Sequence, residues 1–231
     1  WDSVPNYMRR LQSAAQRITG EVLPLDSSPI SFSFWMGGDR DGNPNVTAEI
    51  TREVLMLCHW KALDLYIKET TVLIDELSMN QCDTTIAQHT HNAREPYRAV
   101  MRELRSKLRL AIADLEAQIN GAEAKPEHSF EDVQQLWQPL KICYDSLHSC
   151  GMANIADAKL LDLMRRVQSF GLTLVKLDIR QESDRHTAAI AELTRYLGLG
   201  DYSSWNEEEK QNFLLKELQS KRPLISKDWK A

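Results

Sequence analysis

Apolar residues recur every three or four positions along most of this chain, and that spacing predicts helices. Pro5 to Thr19 reads as a short amphipathic helix. Thr47 can cap a long one in which Ile50, Val54, Leu57, Cys58, Leu65 and Val72 share a stripe, extending toward Met79. After a polar stretch through His91, Pro96 opens a helix with Tyr97, Val100, Met101, Leu104, Leu108, Ala111, Ile112, Leu115 and Ile119 on one side, closed by Gly121. Ser129 and Asp132 have capping-box spacing before Val133, Leu136, Trp137, Leu140, Cys143, Tyr144 and Leu147, with a kink expected at Pro139. Helices are also predicted over Asp157 to Phe170, Asp184 to Leu197 and Trp205 to Gln219, the last with Ser204 and Glu207 as its capping box.

Two segments, near residues 30–36 and 172–180, follow a period of two instead. Ile30, Phe32, Phe34 and Met36 alternate with Ser31 and Ser33, and Val175, Leu177 and Ile179 alternate with Lys176, Asp178 and Arg180. Each strand precedes a helix. Two strands alone make no stable sheet, so the pair is expected to belong to a barrel whose other strands lie elsewhere. The fold class is therefore mainly α, with long helices and two isolated strands of an incomplete eight-stranded α/β barrel. Residues 1–231 read as a single segment of a larger domain, in keeping with a start at Trp1 and a close at Asp228 to Ala231 without a terminal signal.

Composition narrows the function classes. The 231 residues are 42% hydrophobic and 26% charged, enough for a real core. A net charge of -5 gives no long-range pull toward nucleic acid or an anionic membrane, so neither is expected as a partner. Cys58, Cys82, Cys143 and Cys150 lack C-x-x-C spacing and read as reduced thiols, and no run of apolar residues has the length of a membrane span. The expected compartment is the cytoplasm.

Chemistry concentrates at the ends of the two strands. Trp35-Met36-Gly37-Gly38-Asp39-Arg40-Asp41-Gly42-Asn43-Pro44 packs charged and amide side chains among glycines that let backbone N–H groups face a ligand. It is no EF-hand, because Ile50 stands where the bidentate glutamate belongs, and no P-loop, because no Gly-Lys-Ser/Thr follows. A functional loop and a structural turn, capped by Asp and Asn, both fit. At the second strand, Asp178-Ile179-Arg180-Gln181-Glu182-Ser183 puts a guanidinium where a barrel strand would open on its cavity. Its planar fork suits phosphate or carboxylate, while a structural Asp–Arg pair is the alternative. Arg94, Arg98, Arg102, Arg105, Lys107 and Arg109 form a basic run, read as a solvated face or else as a subunit contact or anionic effector site. His89 and His91 read as an exposed loop, and His186 as a neighbour of Arg180.

The two loops resemble those of phosphoenolpyruvate carboxylases of the bacterial type. Phe34 to Thr47 is similar to their Gly-Gly-Asp-Arg-Asp-Gly-Asn-Pro segment, and Asp178 to Ser183 to their Asp-Ile-Arg-Gln-Glu-Ser segment. Similarity also runs through Glu76-Leu77-Ser78-Met79, Cys150-Gly151-Met152, Glu192 to Gly198 and Ser220-Lys221-Arg222-Pro223-Leu224. The resemblance implies helices around an eight-stranded barrel, a homotetramer, phosphoenolpyruvate and bicarbonate as substrates, and Mg2+ or Mn2+ held by ligands outside this segment. Phosphate passes to bicarbonate, and the enolate takes up the carboxyl group. Arg180 matches the arginine that grips the substrate phosphate. Asp39, Arg40, Asp41 and Asn43 match a motif at the barrel mouth, where they would position active-site loops, with Gln181 beside them. The family's catalytic histidine segment, metal-binding carboxylates and Gly-Arg-Gly-Gly loop are not found in this sequence, which implies a segment inactive alone. The rival readings are an independent helical interaction module and an anion-binding regulatory domain built on the run near Arg102.

Overall fold

Long amphipathic helices dominate the chain, as their periodicity requires. The computed structural model describes residues 1–221 and 223–226; Arg222, within one of the similar segments, and the final residues 227–231 lie outside them. In chain order the described elements are α1 (Ser3–Thr19), β1 (Ser33–Phe34), α2 (Ala48–Glu76), α3 (Thr84–His89), α4 (Pro96–Ile119), α5 (Gln134–Ser149), α6 (Ala153–Ile155), α7 (Leu161–Phe170), β2 (Lys176–Leu177), α8 (Ser183–Tyr196) and α9 (Glu207–Gln219). Short 3-10 turns at Pro126–His128 and Tyr202–Ser204 complete them. No helix among the described residues is long and apolar enough to cross a membrane.

The chain divides into two compact units, residues 1–37 with 48–178, and residues 38–47 with 179–231. The first is organised by the packing of α2 against α4, with α5 and α7 closing the same core. Most of the predicted α4 stripe is buried, namely Tyr97, Val100, Met101, Leu104, Leu108, Ala111 and Leu115, while Ile112 is only partly covered and Ile119 is exposed. On α2 the packed face is not the predicted one. Ala62, Leu63, Tyr66, Thr70, Leu73 and Ile74 turn inward, while Ile50, Leu57 and Val72 stay exposed. The helix carries apolar residues on more than one side, so periodicity alone leaves two candidate faces.

Buried polar groups in this unit tie loops to helices. Tyr66 Oη donates to the Gly171 carbonyl at 2.7 Å, which fixes the turn leading to β2, and burial pushes its phenol far above the usual range. Arg165, 3% exposed, donates to the carbonyls of Pro24 and Leu25 at 2.9 and 3.3 Å and to Gln12 at 3.1 Å, satisfying a guanidinium that burial otherwise penalises.

Several local expectations are corrected. The polar stretch before His91 contains α3, capped by Asp83 Oδ1, which accepts from Ile86 N at 2.9 Å. The α5 start does not use the Ser129–Asp132 box: Asp132 accepts from Gln134 N, Gln135 Oε1 accepts from Glu131 N and Asp132 N, and the helix runs through Pro139. The helix expected from Asp157 begins at α6 and enters α7 through a π turn at Ala156–Leu160, where Ala158 departs from helical dihedrals and its carbonyl accepts from Arg9. In the second unit, the α9 box is Asn206 with Glu209, not Ser204 with Glu207, because Tyr202–Ser204 is spent in a 3-10 turn. Asn206 Oδ1 accepts from Glu209 N at 3.0 Å and Glu209 Oε2 from Asn206 N at 2.8 Å. Asn206→Ala should cost about 1 kcal/mol, read as a lower denaturation midpoint; an unchanged midpoint would mean that the cap contributes nothing. Behind it, Tyr202, Trp205 and Phe213 meet in tilted and edge-to-face contacts with ring centroids 5.3 to 6.2 Å apart, and buried Thr194 accepts from Tyr202 N.

β1 and β2 pair in parallel, Ser33 with Lys176 and Phe34 with Leu177. The ladder is shorter than the predicted alternation, and its side chains are poorly covered: Phe32, Trp35 and Met36 are exposed, the last at 70%. An extended strand keeps its pairing only where a neighbour supplies both partners and cover, and here a single neighbour is present.

Candidate functional site

The glycines of the first loop serve different geometric needs. Gly37, in the first unit, has φ +81°, and a Cβ there would sit 2.6 Å from Val54 Cγ2 on α2. Its carbonyl accepts from Thr51 Oγ1 at 2.7 Å, so the first turns of α2 clamp Gly37 from two sides. Thr51 was not among the residues singled out from the sequence; a hydroxyl one turn into the helix that follows a glycine loop is the available signal. Gly37→Ala should destabilise the first unit by about 2 kcal/mol through dihedral strain and overpacking. Adding Val54→Ala should recover only the packing share, so a double variant as stable as Val54→Ala alone would show that the dihedral imposes no strain.

Within the second unit, residues 38–47 and 179–186 are sewn together by backbone. Arg180 N donates to Gly38 O at 2.9 Å, Arg40 N donates to Arg180 O at 3.0 Å, and Asp39 and Arg180 form a parallel bridge. The turn is held internally: Asp41 N donates to Asp39 Oδ1, Asn45 N to Asn43 Oδ1, and Asn43 N to Arg40 O. Gly42, at φ +68°, points its N–H toward Glu182 Oε1 at 3.4 Å. The Asx turns belong to the structural reading of this loop, and its concentration of charged side chains belongs to the functional one.

Alternation along extended backbone sorts the candidate residues into two groups. Arg180 and Asp39 form one: Arg180 Nη1 lies 3.8 Å from Asp39 Oδ2, an ion pair too long for a hydrogen bond, with the arginine side chain 63% exposed. The pair is wet, not sealed, and the guanidinium fork stays open to a ligand. Arg40, Asn43 and Gln181 form the other, lining a cleft of about 380 Å³ with Glu182 and Arg185. Neither Arg180 nor Asp39 lines that cleft. Asp41 is exposed, and His186 is exposed on α8 away from the cleft. Glu182 and Arg185 enter the arrangement through their helix-start positions beside Arg180, a signal the sequence did carry.

Other titratable clusters are accounted for locally. His89 approaches Glu103 at 3.7 Å, and His91 occupies a left-handed turn position. Among the described residues, no group of three or more His, Cys, Asp or Glu side chains converges to hold a metal. The donor set present here therefore does not fit a resident Mg2+ or Mn2+.

The described residues define a mainly helical class of protein segment that carries one short parallel strand pair. The chain belongs to the phosphoenolpyruvate carboxylase family, whose model matches residues 1–231. It is 53% identical to the phosphoenolpyruvate carboxylase of Klebsiella pneumoniae (strain 342), and 52% identical to those of Pectobacterium carotovorum subsp. carotovorum (strain PC1) and Escherichia coli O81 (strain ED1a). Each match covers 99% of this chain and 26% of the relative, so the chain spans about a quarter of the length of those proteins.

Proposed function

We propose that residues 1–231 are one segment of a phosphoenolpyruvate carboxylase, and that Arg180 binds the phosphate of phosphoenolpyruvate. The observation that carries this reading is the exposed guanidinium of Arg180, held at a fixed place by backbone bonds on both sides of its own peptide and only loosely paired with Asp39. Family membership over the whole chain supports the reaction assigned. A bicarbonate oxygen attacks phosphorus, the bond from phosphorus to the enol oxygen breaks, and carboxyphosphate and the enolate of pyruvate result. The enolate C3 then attacks the carboxyl carbon, phosphate leaves, and oxaloacetate forms. Arg180 holds the phosphoryl oxygens through both steps, and its fixed positive charge offsets the charge that moves onto carboxyphosphate. Asp39 is a positioning residue: it orients Arg180 without itself meeting substrate.

In the same reading β1 and β2 join further strands to form an eight-stranded barrel, which would cover Trp35 and Met36. Arg40, Asp41, Asn43 and Gln181 place the loops at its mouth. The parent assembles as a cytoplasmic homotetramer, and Mg2+ or Mn2+ is held by residues outside this chain. The test compares the 231-residue chain with a full-length enzyme carrying it, in an assay coupling oxaloacetate to NADH oxidation. The full-length protein should turn over with both phosphoenolpyruvate and bicarbonate, and the chain alone should not. Turnover by the chain alone would refute the segment reading, and a full-length protein without bicarbonate-dependent turnover would refute the activity.

A further inference from the structure

Between α4 and the start of α5 lies a groove of about 620 Å³, far in sequence from the strand-end loops. Its apolar lining comes from three places: Leu110 on α4, Phe130 in the connecting loop and Pro139 on α5. Phe130 is buried, while Leu110 leaves nearly half its surface to water. The charged lining is acidic. Glu127, Glu131 and Asp132 are exposed and make no ion pair among the described residues, and the lining lysine, Lys107, is already held by Glu103 at 2.8 Å. Asp132 is occupied at the start of α5, where its Oδ1 accepts from Gln134 N at 2.9 Å. Glu127 and Glu131 are therefore the two carboxylates of the groove left without a neutralising partner.

The backbone that carries these two glutamates is pinned. Gln135 Oε1 accepts from Glu131 N at 2.8 Å and from Asp132 N at 3.2 Å, which ties the loop to α5. Lys125 N donates to Asp114 Oδ1 at 3.1 Å and His128 N to Lys125 O at 2.9 Å, which ties the Pro126–His128 turn to α4. A partner that meets the glutamates has little backbone to order on binding. We propose that the groove docks a peptide segment in which arginine or lysine flanks a bulky apolar residue. The basic side chains pair with Glu127 and Glu131, and the apolar one packs against Leu110, Phe130 and Pro139. Charge complementarity selects this occupant: an acidic or neutral segment would cover two carboxylates and leave them unpaired, a cost that a basic segment avoids. Arginine suits the position best, because its fork matches a carboxylate. A space of this size holds a few side chains of an extended segment. The docking surface is independent of the Arg180 reading, since it uses no residue of the strand-end loops.

The probe is a dye-labelled peptide, Gly-Arg-Leu-Arg-Gly with blocked ends, followed by fluorescence anisotropy as a full-length enzyme carrying this chain is added. Saturable binding is expected, and replacing the peptide's leucine by serine, or its arginines by glutamine, should weaken it at least about tenfold. In the protein, Glu127→Gln with Glu131→Gln should weaken binding about tenfold, and Leu110→Ser about fivefold. Glu123→Gln with Glu208→Gln removes the same charge at exposed positions outside the groove and should leave affinity unchanged. Equal affinity of the serine peptide, equal losses in the two double variants, or no saturation would overturn the proposal. Binding by the 231-residue chain but not by the full-length enzyme would assign the groove to a segment of the parent and overturn it too. So would a lower sedimentation coefficient of the enzyme with Glu127→Gln and Glu131→Gln, which would assign the groove to a contact between copies. Circular dichroism melts of each variant, all altered at exposed positions, check that the fold is retained.

Discussion

Replacing Arg180 by lysine in a full-length carboxylase carrying this segment should lower kcat/KM for phosphoenolpyruvate on the order of 100-fold, or about 2.7 kcal/mol of transition-state stabilisation. Lysine keeps the charge but offers a compact ammonium in place of two parallel N–H donors, so it cannot follow phosphoryl oxygens as charge spreads over them. A phosphate contact made in both ground and transition states would raise KM with kcat held. One that strengthens as carboxyphosphate forms would lower kcat as well, and the mechanism proposed here requires the second pattern. Because the side chain is 63% exposed and its backbone bonds do not involve the guanidinium, melting should be unchanged. Asp39→Asn keeps an acceptor for Asp41 N but removes the charge beside Arg180; a smaller loss is expected, with KM moving more than kcat. Wild-type kinetics in Arg180→Lys would take this arginine out of the site.

The parts of this molecule that sequence disclosed are those in which one physical rule governs. On α4 and α5 a single apolar stripe faces a single core, so Leu104, Leu108, Leu136 and Leu140 could be assigned from spacing. On α2 two stripes compete, and only the presence of α4 selects the face of Leu63 and Tyr66 over that of Leu57 and Val72. The Ser204–Glu207 spacing was a valid capping pattern, yet Asn206 and Glu209 satisfy it two residues later without giving up the Tyr202–Trp205–Phe213 cluster. Pairing of β1 with β2, and of Gly38 to Arg40 with Arg180, is a long-range choice that no local pattern encodes. The candidate site was legible as two loops of unusual chemistry. What could not be read was the division that alternation imposes, with Arg180 and Asp39 in one group and Arg40, Asn43 and Gln181 around a separate cleft.

The α4 stripe also yields the largest stability effect expected from a single substitution. Leu108 is wholly buried in the core cluster, and truncation to alanine removes the side chain from water-free packing and leaves a cavity that the long α2 and α4 backbones cannot easily collapse. Leu108→Ala should therefore cost about 3 kcal/mol of unfolding free energy for the first unit. Leu110, two residues further along the same helix, is 48% exposed, and Leu110→Ala should change stability by less than about 0.5 kcal/mol. The two substitutions delete the same atoms and have the same intrinsic effect on helix propensity, so their difference isolates burial. Urea titrations followed by far-ultraviolet circular dichroism give both numbers, with the midpoint falling for Leu108→Ala at an unchanged slope. Similar costs at the two positions would mean that the face of Leu110 is also packed against protein. In a full-length enzyme that outcome would show a further element docked on α4, whereas in the 231-residue chain it would contradict the α2–α4 packing on which the first unit rests.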